Sequence, residues 1–145
     1  MPDAGGVFTH ARAHERLDLD ECRGLLGREH LGRIALSVAA LPAVVPVLYR
    51  LAGDRVVIAV EPDVLYAALY DNVVAFEVDH VDPDTNEGWT VLVVGRSRPC
   101  ELSLPGFDLP GATAFAAHDR LIGIDIDRLS GLRTIGRTPA LQTPA

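Results

Sequence analysis

The feature that most restricts the fold is a succession of short segments rich in β-branched residues, each followed by residues that favour a turn. Residues 32–38 alternate between apolar and polar types, and residues 44–51 form a second apolar run beyond a proline-containing connection. Together they predict a hairpin. Gly53 and Asp54 then mark a turn, after which residues 55–60 predict a third strand. The first part of the chain is therefore expected to form an antiparallel meander.

A second hairpin follows. Residues 73–81 and 89–98 are strongly β-rich and flank a polar stretch, residues 82–88, that is dense in turn formers. Residues 120–126 predict a last strand. About six short strands in a chain of this length predict a closed or nearly closed small barrel, because closure removes the exposed edges of a sheet.

Two short helices are expected beside the strands. Asp18 can cap a first helix, with Glu21 three residues on and Leu25 in its apolar stripe. Pro62 suits the first turn of a second helix, which would run to about Tyr70. The predicted fold class is thus mainly β with short flanking helices.

The length and the ends of the chain bound its organisation. The 145 residues suffice for one domain. We expect residues 1–16 to be a flexible N-terminal segment, residues 17–137 to form the barrel domain and residues 138–145 to be a flexible tail. The N-terminal residues do not resemble a secretory signal, and no window is apolar for long enough to span a bilayer, so a cytoplasmic protein is expected.

The residue types exclude several kinds of function. A net charge of −7, with scattered basic residues, argues against binding to nucleic acid or to an anionic membrane surface. The two cysteines and five histidines lack the spacing of a metal site, and the serines lack a nucleophile-elbow context. The sequence therefore indicates no metal ligand, and the catalytic residues stay unknown.

The order of the β segments resembles that of a known family. LGRIALS at residues 31–37, PVLY at 46–49, VVI at 56–58, VVAFEVD at 73–79 and WTVLVVGR at 89–96 are similar to the actinobacterial type of the pyridoxamine 5′-phosphate oxidase-like, FMN-binding split-barrel family. The resemblance covers residues 17–136. It implies a six-stranded antiparallel split β-barrel that forms a homodimer and holds FMN or a deazaflavin in a groove between the subunits.

The resemblance also implies where a cofactor would be bound. The flat flavin ring needs apolar walls and backbone hydrogen bonds, which Val45, Pro46, Val47 and Leu48 match. Trp89, the only tryptophan, matches a position from which a side chain approaches the ring from the partner subunit. The alternative interpretation is that all five residues belong to the barrel core or cover its end.

The stretch that matches the family's phosphate site departs from the pattern. Ala59, Val60, Asp63 and Leu65 replace the expected basic and hydroxyl anchors, and Glu61 adds a second carboxylate. Carboxylates close to a dianionic phosphate are unfavourable. The sequence leaves open whether Arg128, Arg133 and Arg137 supply the missing positive charge from the other subunit.

Two functions therefore remain open. The first is a flavin- or deazaflavin-dependent oxidoreductase of unknown substrate, in which the cofactor supplies the chemistry and few catalytic side chains need be visible. The second is a cofactor-free dimer that binds another small molecule in the groove between its subunits or has a regulatory role. The lost phosphate anchors favour the second, whereas the family's common activity favours the first.

Overall fold

A computed structural model describes residues 14–61, 63–100 and 120–134. They form eight strands and two helices. In chain order these are β1 (His14–Arg16), α1 (Leu19–Leu26), β2 (Leu31–Val38), β3 (Leu41–Ala52), β4 (Arg55–Val60), α2 (Val64–Ala68), β5 (Asn72–Val81), β6 (Gly88–Cys100), β7 (Arg120–Asp125) and β8 (Arg128–Thr134).

Six of the strands close into an antiparallel barrel in the order β6, β5, β2, β3, β4, β7 and back to β6. The long strand β6 makes closure possible because it has two partners on one side. Its first part, residues 88–94, pairs with β8, and residues 97–100 pair with β7. Strand β1 pairs with the far side of β8. The predicted fold class, a mainly β six-stranded barrel with short helices, is confirmed.

The barrel interior is filled by alternate residues of each strand, as the pleat requires. The rings of Tyr49 and Phe76 meet edge to face, with their centroids 4.9 Å apart. Gly32 lies beside this pair, and a Cβ atom at that position would stand 2.3 Å from the Phe76 ring. The close approach of β2 to Phe76 therefore requires glycine here.

The helices pack at opposite ends of the barrel. The Asp18–Glu21 capping box is present at the start of α1, as predicted, and the helix buries Cys22, Leu25 and Leu26 near the end where β3 turns into β4. The Tyr49 hydroxyl donates a hydrogen bond of 2.5 Å to the Leu26 carbonyl, which ties α1 to the barrel. Helix α2 joins the end of β4 to the start of β5 and so lies at the other end.

The structure differs from the sequence predictions in three places. Helix α2 begins at Val64, because Asp63 is its N-cap, and it ends at Ala68, short of the expected Tyr70. Strand β8 was not predicted, since Gly131, which has low strand propensity, lies at its centre. Residues 14–16, expected in the flexible segment, form β1 because β8 offers them an edge. The expected C-terminal tail lies outside the described residues, and the domain boundaries stay predictions.

Candidate functional site

Strand β3 is longer than β4, and its first part has a neighbour on one side only. Residues 41–48 pair with β2, whereas only residues 49–52 pair with β4. No other strand among residues 14–61, 63–100 and 120–134 lies beside residues 41–48. We call this unpaired side of residues 41–48 the free edge of β3. Free edges expose backbone groups that can bind a ligand or another strand.

Alternation along β3 determines which backbone groups the free edge offers. The Tyr49 N–H donates to the His30 carbonyl, on the β2 side, with an N–O distance of 2.9 Å. Odd-numbered residues of β3 therefore face β2, and the N–H and C=O groups of even-numbered residues face the free edge. Pro42 and Pro46 lack an N–H, so the donors at this edge belong to Val44 and Leu48.

The same alternation divides the residues that the sequence predicted for the flavin ring. Val47 is buried, and Val45 packs against the core, so both side chains point into the barrel. Pro46 is exposed, and Leu48 keeps 38% of its surface exposed. Pro46 and Leu48, with the exposed Val44, are therefore the side chains that can contact a ligand at the free edge.

Trp89 lies elsewhere in the same chain. It is the second residue of β6, pairs with His80 of β5 and Arg133 of β8, and is half-buried against the core. Strands β5 and β2 stand between β6 and β3 in the sheet. One chain therefore does not bring Trp89 to the free edge, and a contact there would need a second copy.

An apolar row crosses the outer face of the sheet next to the free edge. Val44 pairs with Ala35, Ala35 with Ala75, and Ala75 with Val94. Their neighbours Ile34, Phe76 and Val93 are fully buried, so the row points outward. Val44 is 68% exposed. We call these four residues the outer apolar row; the sequence analysis missed it because it depends on the register of four strands.

A polar cluster borders the outer apolar row. Arg33 Nη1 lies 3.3 Å from Glu77 Oε2 and 3.2 Å from Asp79 Oδ1. The Thr90 hydroxyl donates to Glu77 Oε1 at 3.0 Å. Burial raises the pKa of Glu77, and the nearby Asp79 raises it further. Arg33 thus pairs with both carboxylates of the cluster, which holds one more negative than positive side chain.

The stretch that the sequence analysis compared with the family's phosphate site forms hydrogen bonds within itself. Asp63 is exposed, and its Oδ1 accepts a hydrogen bond of 2.9 Å from the Leu65 N–H at the start of α2. Glu61 is also exposed, and its carbonyl accepts from the Asp63 N–H at 2.8 Å. Ala59 and Leu65 are half-buried and Val60 is buried. A carboxylate thus holds an amide that an anion would use, and these residues do not fit a terminal phosphate.

Arg50 is a cation that the sequence analysis did not single out. It lies on the same outward side of β3 as Pro46 and Leu48. Its Nε atom is buried, and in the described part of the chain it has no hydrogen-bond partner. Arg128 begins β8 and Arg133 lies near its end, both exposed, whereas Arg137 is outside the described residues.

Other kinds of site receive no support from the described residues. No group of three or more histidine, cysteine or acidic side chains among them could hold a metal ion. No helix of the described ranges is long and apolar enough to cross a membrane. The free edge of β3 is therefore the candidate site that the fold positions.

Comparison with protein families agrees with this fold. A family model described as pyridoxamine 5′-phosphate oxidase matches residues 18–103. The chain belongs to this family. The match includes β2 to β6, and with them the free edge of β3 and residues 59–65.

Relatives of the family include proteins with and without a described ligand. The uncharacterized protein Rv0080 of Mycobacterium tuberculosis is 32% identical over 142 residues, which covers 89% of this chain and 92% of the relative. An FAD binding protein from Mycobacterium smegmatis has a TM-score of 0.65 at 27% identity and covers 83% of this chain and 98% of its own. An FAD-binding protein from Mesorhizobium loti, with a TM-score of 0.68 at 21% identity over 84% of this chain and 99% of its own, shares the fold.

Proposed function

We propose that this protein is a homodimeric, flavin-dependent oxidoreductase whose flavin ring lies on the free edge of β3, between two copies of the chain. The observation that carries the proposal is the edge itself: two backbone donors, Val44 N–H and Leu48 N–H, beside exposed apolar side chains. Family membership and the 27% identical FAD binding protein of Mycobacterium smegmatis support it.

The free edge suits a flat heterocycle that has polar atoms on its rim. The N–H of Leu48 or that of Val44 would donate a hydrogen bond to a ring oxygen or nitrogen, and the Pro46 and Leu48 side chains would cover one face of the ring. Trp89 would reach the ring from the partner subunit. A bound flavin supplies hydride transfer, and this chain's part is to hold the ring and exclude water.

The proposed dimer follows from what the edge and the outer apolar row leave exposed. An unpaired strand edge with apolar neighbours promotes aggregation unless it is covered. A second copy would cover the row of Val44, Ala35, Ala75 and Val94 and would close the groove over the free edge. We also propose that the protein is cytoplasmic, in keeping with its two unpaired cysteines.

Among flavins, the charges favour a cofactor whose phosphate is a diester. FMN ends in a phosphate monoester that approaches two negative charges at neutral pH, and Asp63 and Glu61 would repel it. FAD carries a diphosphate diester and a deazaflavin cofactor carries a phosphodiester, so each of their phosphate groups bears one negative charge and lacks the second ionisation. We propose that such a phosphate pairs with Arg50 Nε, a buried atom on the outward side of β3 that has no hydrogen-bond partner among the described residues.

A cofactor-free binding or regulatory dimer is the second candidate. The observation that favours it is the Asp63 N-cap. Its carboxylate accepts a hydrogen bond from an amide at the start of α2 that could otherwise donate to a phosphate. This alternative predicts a colourless protein whose thermal midpoint is unchanged by any flavin. Binding to the folded state would raise that midpoint by mass action.

The test is FAD affinity in a pair of variants at one position. Leu48→Pro removes the edge N–H where the neighbouring edge positions 42 and 46 already hold proline, and Leu48→Ala keeps the N–H. We expect the proline variant to bind FAD about tenfold more weakly than the alanine variant, as the loss of one hydrogen bond predicts. Equal affinity of the two variants would show that the ring does not use this edge, and no affinity in the natural chain would reject the function.

A further inference from the structure

A cleft separate from the free edge of β3 opens beside the C-terminal end of α2. It has a volume of about 460 Å³ and is lined by Tyr66, Tyr70, Asp71, Arg98 and Pro99. Binding sites for small molecules typically have volumes of about 300–1,000 Å³. None of the residues that we assign to the flavin ring lines this cleft, so its occupant is a separate question.

Two tyrosines supply the aromatic surface of the cleft. Tyr66 is partly buried against the core, whereas Tyr70 is 67% exposed. The backbone of the next residue, Asp71, has a φ of +59°, a left-handed conformation that few side chains other than Asn and Asp adopt. An exposed aromatic ring beside such a residue offers a stacking surface that the fold itself does not use.

The charged side chains around the cleft form ion pairs in unequal numbers. Asp71 lies 2.8 Å from Arg96 Nη1 and is thereby neutralised. Arg98 shares its partner Asp125: Arg98 Nη2 is 3.1 Å from Oδ2, and Arg55 Nε is 3.2 Å from Oδ1. One carboxylate thus serves two guanidinium groups. Asp71 raises the pKa of Arg96 more than Asp127 does. Arg98 is 57% exposed and has donors left for an anion.

The geometry points to a second ligand site, in which a planar aromatic ring stacks on Tyr70 and Tyr66 and a phosphate attached to it binds Arg98. The ligand class is a nucleoside monophosphate or a molecule of the same size and charge. A guanidinium group binds phosphate through two parallel hydrogen bonds, and Tyr–base stacking tolerates any base. The site selects a combination of ring and phosphate, not either part alone.

Calorimetric titration of the purified dimer with AMP tests this site. We expect AMP to bind with one equivalent per chain, and adenosine and inorganic phosphate to bind at least about tenfold more weakly, because each lacks one half of the contact. Arg98→Gln should weaken AMP binding about tenfold, whereas Arg28→Gln, at an exposed arginine next to α1, should leave it unchanged. Tyr70→Leu should weaken binding and Tyr70→Phe should retain it.

The titration is repeated with the protein saturated with FAD and with the Leu48→Pro variant, which separates this site from the flavin edge. Binding of AMP that survives both conditions supports the second site, even if the protein fails to bind any flavin. Loss of AMP binding in the presence of FAD would place AMP in the flavin groove and overturn the inference. Absence of binding, or an Arg98→Gln variant that binds like the natural chain, would also overturn it.

Discussion

The free edge of β3 and the segment that joins β4 to α2 differ in what they offer a ligand. The edge presents backbone donors at Val44 and Leu48, which no strand of the described residues pairs with, beside apolar side chains. The segment presents Glu61 and Asp63, and the Asp63 carboxylate already accepts a hydrogen bond from the Leu65 N–H in the first turn of α2. One region thus offers backbone hydrogen-bond donors to a ligand, whereas the other offers negative charge and an amide that is already hydrogen-bonded.

We expect the largest effect from a change in the packing of β2, the strand that pairs with residues 41–48 of β3. Gly32 pairs with Val47 of β3, and an added methyl group would clash with the Phe76 ring at 2.3 Å and lie 3.1 Å from the Glu77 carbonyl. Gly32→Ala should lower the free energy of unfolding by about 1–3 kcal/mol, as overpacking does. Urea denaturation measures it, with Gly24→Ala, where no atom lies within 4 Å of the new methyl group, as the control. Equal stability of the two variants would contradict the packing described for β2.

The second prediction concerns the charge on the ring side. Arg50→Gln should weaken FAD binding about tenfold, because a charged hydrogen bond to the phosphate is lost. Arg50→Lys, which keeps the charge but not the Nε donor, should recover part of the affinity. Fluorescence quenching of FAD measures both constants. Unchanged affinity in Arg50→Gln would show that another residue meets the phosphate.

The third prediction sharpens the contrast at α2. Asp63→Asn keeps the N-cap, since asparagine caps as well as aspartate, and with Glu61→Gln it removes both charges. FMN affinity should rise about fivefold relative to FAD affinity, because a like-charge repulsion of about 1 kcal/mol is removed. Glu87→Gln, at an exposed carboxylate between β5 and β6, is the control for net charge. A constant ratio of the two affinities would refute the role of these carboxylates.

The smallest effect is expected at Trp89. If its ring contacts the flavin from the partner subunit, Trp89→Phe should weaken FAD binding about threefold, a fraction of an aromatic contact. The thermal midpoint of the flavin-free protein, measured in parallel, should change little because phenylalanine preserves most of the packing against the core. A lower midpoint with unchanged FAD affinity would make Trp89 a packing residue only.

Much of the fold could be predicted from sequence because alternation and turn residues are local signals. The Asp18–Glu21 capping box and both hairpins lie where these signals placed them. Strand β8 was not predicted because it forms through its pairing with β6, which its own residue types do not indicate. Within the site, Val45 to Leu48 could be chosen as a segment, but only the pairing partners reveal which groups face the edge. One signal in the sequence did indicate the free edge: Pro42 and Pro46 lie four residues apart on one strand, and proline is tolerated where its position faces no neighbouring strand.

The absorption spectrum of the purified protein tests the central claim most directly. The protein is incubated with excess FAD, deazaflavin or FMN, freed of unbound cofactor by gel filtration, and its visible spectrum is recorded together with its elution volume. We predict a dimer that retains the absorption band of FAD or the deazaflavin and retains less FMN. A protein that elutes without any of the three chromophores would contradict the account and leave a cofactor-free barrel.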